Sequence, residues 1–66
     1  MKIKDIRELT TPELRARLKD EKDKLVRMQL NHAVSAIERP SDLRQSRKNI
    51  ARLLTVLRER ELEDQQ

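Results

Sequence analysis

The stretch from Arg44 to Arg60, RQSRKNIARLLTVLRER, carries six basic residues and one acid among aliphatics. Guanidinium groups fork onto phosphate oxygens and hold their charge at any physiological pH. The chemistry on offer is therefore anion recognition. Successive residues on a helix are separated by about 100°. On that wheel Ile50, Leu53, Leu54 and Leu57 gather on one side, while Arg44, Arg47, Lys48, Arg52 and Arg58 share an arc on the other. Ala51 and Thr55 fall inside the arc and are small enough for a backbone to approach. The arc is read as free of compensating acid, whereas a solvated helix normally mixes signs. A polyanion is the partner that such a face fits best.

Other chemistries find little support. There is one histidine, His32, and no cysteine, so thiolate metal sites and disulfides are excluded. His32 lies in line with an apolar seam and is read as a packing or boundary residue, not as a general base. The carboxylates read as solubility and i,i+4 pairing, as between Asp20 and Lys24. No catalytic residue, no cofactor and no metal ligand is expected. The aromatic content is 0%, so unpaired bases have no stacking platform. Phosphates, ribose hydroxyls and the shape of folded RNA suit the face. No helix-turn-helix signature or zinc spacing for reading DNA is present.

The elements that position this face follow from composition. With 66 residues, no glycine and two prolines, the chain predicts helices with few interruptions. LTTPEL is a start signal: Thr10 as N-cap, Glu13 completing a capping box, and Leu9 and Leu14 at the staple positions, with Thr11 as cap and Pro12 at N1 as the competing choice. Leu14, Leu18, Leu25, Met28 and His32 then form a four-three seam, interrupted by Glu21. Glu21 is read as a frayed point in the seam, with burial against an arginine as the alternative. A second arc, Val26, Leu30, Ala33 and Ile37, predicts contact on two sides of that half. Pro40 breaks the pattern and opens a new helix, where Leu43, Ile50, Leu53, Leu54 and Leu57 make the second seam and Ser46 fills one apolar slot. Ile3, Ile6 and Leu9 predict a short helical turn packed on the hairpin.

The fold expected is all-α: an antiparallel two-helix hairpin with a short N-terminal helix, in one domain. The expected bounds are a short helix over 3–8, long helices over 11–34 and 40–61, a loop over 35–39, and a frayed acidic tail over 62–66. So small an aliphatic core predicts weak stability alone and tighter order against a partner. The charged opening MKIKDIREL has no signal-peptide core, and no apolar run reaches the roughly 20 residues that span a bilayer. A cytoplasmic protein without membrane insertion is expected.

Taken in order, ELRARL (Glu13 to Leu18), the break ending in Pro40 and RQSRKNIARLLTVLRER resemble the bacterial large-subunit ribosomal protein twenty-nine family. The opening KIKDIREL matches as well, so the likeness runs from about residue 2 to 62. Its carrying positions are Arg44, Arg47 with Lys48, Ile50-Ala51-Arg52 and Thr55-Val56-Leu57-Arg58-Glu59. Departures are Val26 and Leu30, where the family often has phenylalanine, Leu54, where lysine is common, and the positions of Ser35 and Arg39. The resemblance implies a small helical hairpin beside the nascent-peptide exit that docks on 23S ribosomal RNA. It implies ribosomal protein twenty-three as a neighbour, with trigger factor and the signal recognition particle engaging nearby.

The residues expected to meet RNA are Arg44, Arg47, Lys48, Arg52, Thr55 and Arg58, with Lys2, Lys4 and Arg27 as secondary candidates. Thr55 is expected to hydrogen-bond the RNA backbone. The competing reading is a coiled-coil or helical-hairpin adaptor that binds a partner protein through its four-three seams.

Overall fold

The computed structural model describes residues 1–34 and 40–65. Three helices follow one another: α1 (Ile3–Arg7), α2 (Thr11–Val34) and α3 (Pro40–Asp64). No strand is present among the described residues. α2 and α3 pack along each other, and α1 packs on α3. The result is a rod of 48 × 17 × 15 Å. The loop expected over 35–39, with Ile37 in it, lies outside the described residues.

α2 starts as its sequence dictates. Thr10 Oγ1 accepts from the Glu13 backbone N–H at 3.3 Å and donates to Glu13 Oε1 at 2.7 Å, while the Thr10 N–H donates to the same carboxylate oxygen at 3.3 Å. The capping box satisfies donors that the first helical turn would otherwise leave orphaned. Pro40 is the first residue of α3, the position where its missing N–H costs nothing. α3 continues to Asp64, three residues beyond the expected end at 61, although Glu61, Glu63 and Asp64 crowd its negative end.

The core is Ile6, Leu14, Leu18, Leu53 and Val56, ringed by Met1, Ile3, Leu9, Ile50 and Leu57. Each large aliphatic side chain buried there contributes roughly 1.5–3 kcal/mol. Two seam assignments need correction. Leu54 is 44% exposed and Val56 only 2%, because α1 lies over one flank of α3 and turns the buried stripe toward it. At the other end of the seam His32 is exposed, so it is not part of the buried core. The second arc is exposed too: Val26 by 53% and Leu30 by 62%.

Halfway along, apolar packing gives way to polar atoms. Glu21 and Ser46 are buried, and neither Glu21 Oε2 nor Ser46 Oγ has a hydrogen-bond partner. Glu21 is thus neither frayed outward nor paired with an arginine. A buried hydroxyl without a partner costs about 1–3 kcal/mol, and alanine is the better helix former. Ser46→Ala is therefore expected to stabilise the hairpin by about 1 kcal/mol, which a thermal melt would register as a rise of about 4–8 °C. A lower melting temperature would mean that the Ser46 hydroxyl is satisfied after all.

Candidate nucleic-acid interface

A single uninterrupted helix positions the basic face. From Pro40 to Asp64 the leucine seam fixes α3's rotation against α2, so the opposite side must face outward. Arg44, Arg47, Lys48 and Arg58 are all exposed there, with Ala51 and Thr55 exposed between them. No carboxylate among the described residues comes within 4.0 Å of these four side-chain charges; the single ion pair joins Arg7 to Glu59 at 3.1 Å. Free cations on a rigid rod are ready to neutralise phosphates without first breaking internal bonds.

Two expected site residues are already engaged within the chain. Arg52 is half-buried, and its Nη1 donates to the Met1 carbonyl at 2.6 Å. It holds the N-terminus against α3 and has less left to offer an external anion. The Thr55 hydroxyl donates back to the Ala51 carbonyl at 2.9 Å, so its proton is committed to the helix. Toward RNA, Thr55 retains acceptor capacity and small size. The face is also not free of acid: Glu59 sits at its Arg52 edge, where Arg7 takes it up. Asp20 and Lys24 form no ion pair within 4.0 Å.

Of the secondary candidates, Lys2 and Lys4 are exposed on the N-terminal segment that Arg52 tethers to α3. Arg27 is exposed on α2 and points away from the α2–α3 seam, so it does not join the α3 face. The structure thus gathers Arg44, Arg47, Lys48 and Arg58 on α3, sets Lys2 and Lys4 on the N-terminal segment that Arg52 tethers, and leaves Arg27 apart.

Sequence reasoning passed over Arg60. Its Nη2 donates to the Arg7 carbonyl at 3.0 Å and its Nη1 reaches Thr11 Oγ1 at 3.4 Å. The first bond satisfies a carbonyl at the end of α1 that the helix itself leaves open. With the Arg7–Glu59 pair, it clasps the α1–α2 junction to the last turns of α3. The available signal was Arg60's wheel position beside the seam, where a mere surface charge would be out of place. Arg60→Ala is expected to cost about 1 kcal/mol of stability and to speed amide exchange in α1 more than in α2. Equal exchange in both helices would show that the clasp carries no load.

Among the described residues no group of three or more potential metal ligands occurs. No helix among the described residues is long and apolar enough to cross a membrane.

Comparison with known proteins agrees with this architecture. The family model described as Ribosomal L29 protein matches residues 4–60. The chain is 49% identical over 65 residues to the large ribosomal subunit protein uL29 of Heliobacterium modesticaldum, covering 98% of this chain and 97% of that one. It is 50% identical over 62 residues to the protein of the same name from Natranaerobius thermophilus, covering 94% and 95%. Against that of Desulforudis audaxviator it is 47% identical over 62 residues, covering 94% and 92%. No solved structure matches. With the match spanning all three helices and the whole basic stretch, the chain belongs to the Ribosomal L29 protein family.

Proposed function

We propose that this chain is a structural, non-enzymatic constituent of the large ribosomal subunit that grips 23S ribosomal RNA with the outer face of α3. Family membership supports the ribosomal role. The observation that carries the RNA contact is the row Arg44, Arg47, Lys48 and Arg58, exposed on one side of a rigid helix and free of carboxylate partners among the described residues. Each of these cations neutralises a phosphate, and each contact weakens with salt as condensed counterions return. Ala51 lets the RNA backbone close on the helix, and the Thr55 hydroxyl oxygen accepts from a ribose hydroxyl. α2 contributes the seam that keeps the α3 cations in register.

In this reading the protein sits near the nascent-peptide exit, beside ribosomal protein twenty-three. Trigger factor and the signal recognition particle engage close by. The exposed apolar residues Val26 and Leu30, in the half of α2 nearer α3's start, support a protein neighbour at that end of the rod.

The test is fractionation of a lysate from cells that make the tagged chain, on sucrose gradients at moderate and high salt. Near-quantitative migration with large subunits at moderate salt, and its loss at high salt, is the expected result. Small complexes that persist at high salt would favour the adaptor reading, because leucine seams are not screened as phosphate contacts are.

A further inference from the structure

In sequence the charges of α2 alternate, with Asp20, Glu21 and Asp23 set among arginines and lysines. In three dimensions they separate. Glu21 is buried in the seam. Glu13, Arg17, Asp20 and Lys24 fall on one line of the helix, spaced i, i+4, i+7 and i+11. That line faces the α1 side of the rod: Arg17 shares a hollow with Met1, Ile6 and Leu9, and Lys24 shares another with Gln45 and Asn49 of α3.

Arg15, Lys19 and Lys22 make a second line, on the flank of α2 turned away from α1. All three are exposed, and no carboxylate among the described residues lies within 4.0 Å of their charges. One acid, Asp23, borders the shallow groove that they line with Leu18. On the same flank α3 presents Arg47, Leu54 and Arg58, with Glu61 at the edge of the Leu54 hollow. Leu14 and Leu18 pack with Leu53 and Val56, while Met28 meets Ser46. This antiparallel register sets Arg15 near the level of Arg58 and brings Lys22 within about a turn of Arg47 along the rod. Packed helix axes lie about 8–10 Å apart, so two parallel rows of cations frame one side of the rod, with Leu54 between them.

We infer that Arg15, Lys19 and Lys22 form a second phosphate-binding row, so that RNA backbone is held across both helices on the flank opposite α1. The inference rests on the RNA-binding reading above and extends it to residues of α2. Charge complementarity selects the occupant: five cations against two acids, on a surface without the aromatic anchors of a protein hot spot.

The test compares two charge-matched double variants on large subunits, each losing one arginine and one lysine from exposed positions of α2. In Arg15→Gln with Lys22→Gln, retention through a high-salt wash is expected to fall about tenfold, and the salt slope to shrink by roughly 1.4–1.8 for two lost phosphate contacts. In Arg17→Gln with Lys24→Gln, on the other flank, retention is expected to stay at the parent level. Glutamine is a good helix former, and circular dichroism checks that both variants fold. Equal losses in the two variants, or no loss in the first, would overturn the inference. An Arg47→Glu, Arg58→Glu chain run alongside separates the failures: its release leaves the α3 contact standing even if the α2 row fails. Because the chain has no cysteine, Lys19→Cys can carry a unique thiol-linked photo-crosslinker. An adduct with RNA supports the second row, and an adduct with protein alone overturns it.

Discussion

Replacing Arg47 and Arg58 together with glutamate is expected to strip the chain from large subunits while leaving its helix content unchanged. Both side chains are exposed and pair with no carboxylate among the described residues, so the fold loses little when they change. Outside the fold the change is severe, since two cations facing phosphates become two anions facing them. A hydrogen bond to a charged group contributes about 1.5–3 kcal/mol, so losing two such contacts costs about 3–6 kcal/mol. At 1.4 kcal/mol per tenfold, that lowers affinity at least a hundredfold before repulsion is counted. The measurement is the fraction of tagged variant that co-sediments with large subunits, alongside its circular dichroism. Arg52 is the wrong partner for this experiment. Its bond to the Met1 carbonyl would make a lost contact and a loosened N-terminus look alike. If the double variant incorporates normally, the outer face of α3 does not hold RNA.

Leu53→Ala should unfold much of the protein at growth temperature. Leu53 is 0% exposed and sits where all three helices meet. Truncating a buried leucine to alanine costs about 2–5 kcal/mol. Stability of about 0.05–0.15 kcal/mol per residue gives a chain of 66 residues about 3–10 kcal/mol in total. One such cavity therefore consumes a large share of the margin. The neighbouring Leu54→Ala, at a site 44% exposed, is expected to cost less than about 1 kcal/mol. Thermal melts of the two variants check the rotation of α3: a larger loss at Leu54 than at Leu53 would mean that the helix presents a different face to α2.

That pair also shows where sequence reasoning stopped. Leu53 and Leu54 are adjacent leucines at the rim of the same apolar arc, and both were assigned to the seam. Periodicity ranks positions by angle and cannot say which rim is covered. α1 decides that, by lying over the Val56 flank and leaving the Leu54 flank open. The Thr10–Glu13 capping box, in contrast, was legible to the atom, because its bonds span three residues and need nothing distant. The outward set of Arg44, Arg47, Lys48 and Arg58 was legible for a related reason, since a charged arc opposite a long apolar seam has only one place to go. Arg52 and Arg60 were not, because their acceptors lie about fifty residues away. Charge type alone does not reveal whether a guanidinium faces solvent or closes the chain on itself. The alternating charges of α2 are opaque in the same manner, since one-dimensional mixing conceals how they divide between two flanks.

The clasp between the first helix and the last turns of α3 has a consequence for the order in which the protein takes shape. The acceptors are Met1, just before α1, and Arg7 at its end, and their donors, Arg52 and Arg60, are 51 and 53 positions later. During synthesis from the N-terminus, α1 emerges with nothing to dock against. A five-residue helix is too short to persist by itself. Its anchoring surface is complete only when α3 has left the ribosome as far as Arg60. α1 is therefore made before α3 but settles after it, and its closure reports that the docking surface has formed.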